Sequence, residues 1–379
     1  MKTNSLSDEK FYISYHKWDP VHNPQYSKYP YADPTKGGVL IWHSRVNSIE
    51  WANFSDRRKL PIDIESEHGK TIWNETVDNV INTGVANPLT GFDKLEIRKI
   101  LPDASGYMHE AAGPYYGVDN GDGSIFYTPD DGKDFTFYTN PNSNWYNNSA
   151  PYAQGITSGF SIKNIRTENG VVKADFLIND YTVTKNASLA DGNWYINSSV
   201  TVASGVTLDI GNANLIFKNG TSLTINGTLN AHNSTFTSSG TWSGIRFNSG
   251  SSGTIQNSTI ENVQAYGNGA ITIATNSPSS NTPFIYNNVI RNTSGFCYGI
   301  EVYNSSRPVI QRNTIQNTSA DAIYVIDSSP WIFQNTIQLS NNYAGIMGSN
   351  YSDIYLGFPE PGVSRFTRSK YNHRREIWT

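Results

Sequence analysis

The sequence predicts a multidomain chain, a mixed α/β N-terminal region followed by an all-β parallel β-helix, and three observations carry that reading. First, isoleucines recur through the second half in two interleaved series. One series is Ile255, Ile285, Ile310 and Ile332, each followed within the same short segment by a partner, Ile260, Ile290, Ile315 and Ile337; the other is Ile245, Ile271, Ile300, Ile323 and Ile346. Second, residues 181–350 hold only six acidic and six basic side chains, although the whole chain has 32 and 28. Third, apolar residues alternate within each segment and the segments are separated by Asn, Ser, Gly and Pro, the signature of short half-buried strands joined by turns. A unit of two or three such strands cannot bury its own apolar face, so it must stack on copies of itself as a solenoid.

Taken in order, residues 1–180 read as mixed α/β. Strands are expected at 11–18 and 38–43, the second nearly continuously apolar and so buried on both faces. A helix is expected at 71–82, with Trp73, Val77, Val80 and Ile81 on one face and Gly84 as its C-cap. A hairpin closes the region, its strands at 160–166 and 171–178 joined by a turn at Asn169 and Gly170. The β-helix occupies 181–350, its first coils alternating cleanly between Gly205, Gly211 and Gly220. Within each coil a polar position recurs between the paired isoleucines: Ser258, Asn288, Asn313 and Asn335. Stacked one coil above another, such side chains can hydrogen-bond as a ladder, which accounts for some of the 43 asparagines without invoking chemistry. Residues 351–379 crowd Arg365, Arg368, Lys370, Arg374 and Arg375 into a basic tail expected to be irregular.

The run from Ser204 to Ala231 resembles the first coils of right-handed parallel β-helix repeats in bacterial surface proteins, and that resemblance supplies the hand of the solenoid. It implies a fold, not an activity, since such helices serve as lyases, hydrolases, adhesins and spacers. The N-terminal region resembles the last part of the immune-inhibitor-A-like secreted zinc metallopeptidases. Five segments carry the likeness in order: Gly38 to His43, Asp63 to Lys70, Gly117 to Gly123, Thr139 to Ser143 and Gly159 to Ile165. That family holds zinc with a His-Glu-x-x-His helix, and the resemblance therefore places zinc in a full-length parent only. In this chain the nearest string, His109-Glu110-Ala111-Ala112-Gly113, has glycine where the second histidine must project, and it is expected to be a surface loop. Ser44 and Arg45 also depart from the family's acidic continuation.

Candidate sites are few. Asp119 and Asp122, in an Asp-Asn-Gly-Asp-Gly turn, could bind calcium through carboxylates and carbonyls, although the EF-hand pattern is not met. Outward positions between paired apolar residues of the β-helix are Arg246, Thr272, Glu301 and Tyr324. Stacking would place them in one column, where an aromatic beside an ion pair could contact sugar. The column supplies one carboxylate, whereas glycoside hydrolysis calls for two. Cys297, the sole cysteine, excludes an internal disulfide and reads as a buried apolar residue.

A net charge of −4 gives no electrostatic footprint for nucleic acid, and no apolar run is long enough to span a membrane. The richness in Asn, Ser, Thr, Gly and Tyr fits a secreted or surface protein, whereas residues 1–10 are polar and lack a signal's apolar stretch; an incomplete start reconciles the two. The functional expectation is a fragment of a secreted bacterial metallopeptidase-like protein, catalytically inert, whose β-helix is a spacer or an adhesive surface toward extracellular polysaccharide or protein. The alternative is a β-helix that binds or degrades polysaccharide.

Overall fold

The computed structural model of the chain describes residues 153–278, 282–339 and 343–356, with shorter stretches at 9–16, 38–45, 62–64, 100–102, 108–110, 129, 132–139, 143–144 and 366–368. The chain divides into two compact units, residues 1–145 with 160–178, and residues 146–159 with 179–379.

In the first unit, Glu9–His16 pairs antiparallel with Gly38–Arg45, which pairs in turn with Ile62–Ile64. Val39 and Ile41 point into a small core with Phe135, Ile162 and Ile165, against which Phe11 and Phe160 pack. The strands Ser161–Glu168 and Val171–Leu177 form a hairpin whose turn residues, Asn169 and Gly170, both take the left-handed conformation that such a turn requires. Met108–Glu110 is a strand paired with Ile100–Pro102 and not the loop expected for His109 and Glu110; backbone pairing across the short hairpin satisfies groups that a loop would leave to water. The helix expected at 71–82 lies outside the described residues.

The second unit is a β-solenoid of about seven turns over residues 182–356. One sheet stacks eight parallel strands, from Thr182–Val183 through Val200–Val202, Leu223–Ile225, Ile245–Phe247, Gly269–Ile273, Tyr298–Val302 and Ile323–Ile326 to Ile346–Ser349. The other side of the solenoid is two columns fused at their start, where Thr207–Phe217 is long enough to pair with both Thr228–His232 and Thr235–Ser238. The middle column continues through Ser252–Gln256, Phe284–Tyr286, Val309–Gln311 and Trp331–Phe333, the outer one through Thr259–Glu261, Val289–Arg291, Thr314–Gln316 and Thr336–Gln338. Ile255, Ile285, Ile310 and Ile332 stand in register and are buried. Ile245, Ile271, Ile300 and Ile323 do the same on the first sheet.

The solenoid does not respect the expected limits of 181 and 350. Ala153–Ile156 pairs with Ala187–Ile196, and Asp353–Leu356 adds a strand to the middle column before Phe366–Arg368 pairs with it antiparallel. A free strand edge leaves N–H and C=O groups unpaired, and the flanking segments satisfy them.

At the corner between middle and outer columns, Asn233, Asn257, Asn287, Arg312 and Gln334 all have φ between 51° and 56°. Each precedes the recurrent polar residue. Asparagine tolerates this left-handed region better than other residues with a Cβ, and thirteen of the nineteen described non-glycine residues with positive φ are Asn. The asparagine content therefore serves corners as well as stacked amides. Next to each corner, Asn288 Oδ1 accepts from Ser258 N at 2.9 Å, Asn313 Oδ1 from Asn288 N at 3.0 Å, and Asn335 Oδ1 from Asn313 N at 2.8 Å. The amide nitrogens of Asn288, Asn313 and Asn335 donate to the carbonyls of Ile255, Ile285 and Ile310, each on the coil before.

Candidate functional site

The sequence-derived positions converge on the outer face of the first sheet. Thr224, Arg246, Thr272, Glu301, Tyr324 and Met347 are register partners on successive coils. Inward Ile and Val on either side of each dictate this, because side chains alternate across a strand. The expectation that the column is solvent-facing holds for neither Thr272 nor Glu301, which are only 3% and 5% exposed. Their cover comes from neighbours that the repeat alignment does not show. Thr272 Oγ1 lies 3.3 Å from Glu301 Oε2, the rings of Tyr298 and Tyr324 stack at 4.6 Å, and the Arg246 guanidinium bonds the Tyr303 hydroxyl while its Nε donates to Asn248 Oδ1 at 2.8 Å.

Burial raises the pKa of the Glu301 carboxyl, against the opposing pull of the Thr272 hydroxyl, the Gly269 backbone and the Arg246 charge. Tyr298 is pushed up to about 12, first by burial and then by the negative potential of Tyr324, Asp321, Glu301 and Tyr343. Loss of a proton from either group is thus disfavoured.

Glu301 binds its proton more tightly in the folded chain than in the unfolded one. Its contribution is therefore fully favourable below the ordinary carboxylate range and is lost as pH rises through the raised value. Glu301→Gln should remove that loss. Urea midpoints of the variant and the native chain should coincide near about pH 4 and separate in the variant's favour toward about pH 8; a separation that shrank with rising pH would contradict the buried carboxyl.

Beside this column, three loops that lead from the outer column back to the first sheet each present an aromatic ring. Tyr266 is 82% exposed, Phe296 40% and Tyr343 39%. The ring centroids of Tyr266 and Phe296 are 5.9 Å apart, as are those of Phe296 and Tyr343, so the three form a row crossing several coils. Phe296 also meets Tyr298 edge to face at 5.7 Å. Its φ is 58°, a left-handed conformation that costs a bulky residue about 1–3 kcal/mol unless the surroundings enforce it. They do: Phe296 O accepts from Gly267 N at 3.0 Å, Cys297 N donates to Ser319 Oγ at 2.8 Å, and Thr293 Oγ1 donates to Cys297 O at 2.8 Å. The ring is held outward by bonds to the coils on both sides.

None of Tyr266, Phe296, Tyr298, Tyr303 and Tyr343 emerges from the isoleucine pattern. Aligning the loops on Ile271, Ile300 and Ile346 would have found three of them, since each has an aromatic three to five residues upstream. Cys297 is buried, and burial pushes its thiol up to about 12, so it lacks the thiolate that nucleophilic or redox chemistry needs. Asp119 and Asp122 lie outside the described residues. Among the described residues no group of three or more His, Cys, Asp or Glu is placed to hold a metal ion. Among the same residues, no helix is long and apolar enough to cross a membrane.

The stacked parallel strands and their inward isoleucines define a right-handed β-helix protein. The chain belongs to the family described as the right handed beta helix region, which matches residues 134–357, more than half of its length. No curated protein and no solved structure matches it.

Proposed function

We propose that the β-helix is a polysaccharide-contacting module that works outside the cell, binding an uncharged linear glycan along the row Tyr266, Phe296 and Tyr343. The observation that carries this reading is the exposure of three aligned rings, one of them fixed in a costly backbone conformation, on loops that also carry Asn, Ser and Thr. Exposed apolar surface of this kind, rimmed by polar groups, marks a binding site more often than it serves the fold. The row itself consists of three uncharged rings, which suits an uncharged partner.

Binding is favoured over cleavage because Glu301 is the one carboxyl in its register column, whose other members are Thr224, Arg246, Thr272, Tyr324 and Met347, so glycoside hydrolysis by two acids has no support within the column. Five segments of the N-terminal half that follow one another as in the secreted zinc metallopeptidases support a metallopeptidase-like reading of that half, although the sequence contains no His-Glu-x-x-His.

Native electrophoresis through gels containing hydroxyethylcellulose, xyloglucan or dextran tests the proposal. At least one should retard the chain, and Tyr266→Ala with Phe296→Ala should abolish the retardation. Free migration of the native chain in all three gels, or unchanged retardation of the variant, would overturn it.

A further inference from the structure

A second aromatic surface lies on the middle column, on a different sheet from the row of loop rings. Outward positions of the outer column are mostly polar, Thr259, Glu261, Arg291, Thr314 and Gln316 beside Val289. On the middle column two coils carry rings at both outward positions, Phe284 with Tyr286 and Trp331 with Phe333, alternating with Thr254, Gln256, Val309 and Gln311, and Tyr355 follows on the last coil. Stacking of the inward isoleucines asks for none of these rings. Phe284 and Tyr286 lie nearly parallel at 5.5 Å, and Trp331 and Tyr355 stack at 4.6 Å.

Two arginines accompany them. The Arg307 guanidinium sits 5.8 Å from the centre of the Trp331 ring and 5.6 Å from that of Tyr355, and Arg312 sits 5.8 Å from that of Tyr286. Arg312 donates to the Tyr286 hydroxyl at 2.8 Å and to Gln334 Oε1 at 3.0 Å, both neutral acceptors; the Nε of Arg307 has no acceptor. On the outer column, by contrast, Arg291 is neutralised by Glu261 at 2.8 Å. The four strands Ser252–Gln256, Phe284–Tyr286, Val309–Gln311 and Trp331–Phe333 contain no acidic residue; the last strand of the column, Asp353–Leu356, begins with one, Asp353. The face therefore carries two positive charges oriented by rings, neither of them in an ion pair among the described residues.

We propose that this face is a second binding surface, for a linear anionic glycan whose sugar rings lie against the aromatic side chains and whose carboxylate or sulfate groups pair with Arg307 and Arg312. Guanidinium is suited to both anions, since its planar fork matches their paired oxygens. The two arginines flank the three-residue strand Val309–Gln311, one at each end, so that their Cα atoms are at most about 16 Å apart. Two charges at opposite ends of one strand suit charges repeated along a polymer.

Native electrophoresis in gels containing polygalacturonate, dextran sulfate or plain dextran, with an oligo(dT) titration alongside, tests the proposal on the full chain. Polygalacturonate or dextran sulfate should retard the native chain, and which of them does so identifies the anion. Arg307→Gln and Arg312→Gln should each weaken retardation about tenfold, Arg307→Lys less, and raising salt from about 50 to 500 mM should release the chain. Galacturonic acid monomer should not compete. Matching denaturation midpoints of Arg307→Gln, Arg307→Lys and the native chain would establish that any loss is not unfolding. Tyr266→Ala should leave polyanion retardation intact, so that failure of the loop row and failure of this face remain distinguishable. Absence of retardation by both polyanions, equal retardation by plain dextran, insensitivity to both arginine changes, or tighter binding of oligo(dT) would overturn it.

Discussion

Ile310→Ala should destabilise the chain by about 2–5 kcal/mol, the range for truncating a fully buried aliphatic side chain whose cavity cannot close. Ile310 is completely buried and sits in the middle of its column, with Ile285 on the coil before and Ile332 on the coil after. Each coil is tied to its neighbours by backbone hydrogen bonds on both sides, so the wall of the cavity cannot move inward without breaking strand pairing. Ile337, which is only half buried on the last strand of the outer column, has room to adjust, and Ile337→Ala should cost less. Urea titration of the two variants checks the ordering. Equal losses would mean that depth within the stack does not govern the cost.

Asn313→Ala should cost about 3 kcal/mol, through a different mechanism. Asn313 Oδ1 accepts from both the N and Nδ2 of Asn288, and its Nδ2 donates to Ile285 O and to Asn335 Oδ1 at 2.9 and 3.0 Å. Removing the amide leaves donors on Asn288 and an acceptor on Ile285 unsatisfied in an interior that water does not reach, at about 1–3 kcal/mol for each group left bare. Asn313→Ser should recover part of the loss. Ser258 and Ser234 already fill the equivalent position on earlier coils, where their hydroxyls accept from Ser234 N and Ala213 N, each at 3.1 Å. Thermal midpoints of the Ala and Ser variants distinguish hydrogen bonding from packing, and a serine variant as unstable as the alanine would assign the effect to volume alone.

The solenoid was legible because its signal is redundant. An inward isoleucine every coil, flanked by polar outward positions, leaves one register in which all of Ile255, Ile285, Ile310 and Ile332 are buried, and turns of Asn and Gly mark where each strand stops. Residue identity at the corner was less informative: Arg312 and Gln334 take the same left-handed conformation as Asn257 and Asn287, because position in the coil imposes it. Burial of Thr272 and Glu301 could not be read from alternation. Alternation says only which side of the sheet a residue leaves from, and what covers that side depends on Tyr298 and Tyr303, which flank the repeated core of the strand. The loop row was hidden for a related reason. Loops differ in length from coil to coil, so Tyr266, Phe296 and Tyr343 fall at unequal spacings although they meet in space. The rings of the middle column, by contrast, stood in plain view in the aligned segments, beside the isoleucines that drew attention away from them.

A crystal structure of the chain soaked with a hexasaccharide of whichever uncharged polysaccharide retards it most is the measurement that bears most directly on the loop row as a glycan site. Sugar rings should be found against Tyr266, Phe296 and Tyr343, running along the stack of coils, with the Phe296 backbone still left-handed. Sugar bound elsewhere on the chain while these three rings remain bare would contradict the assignment.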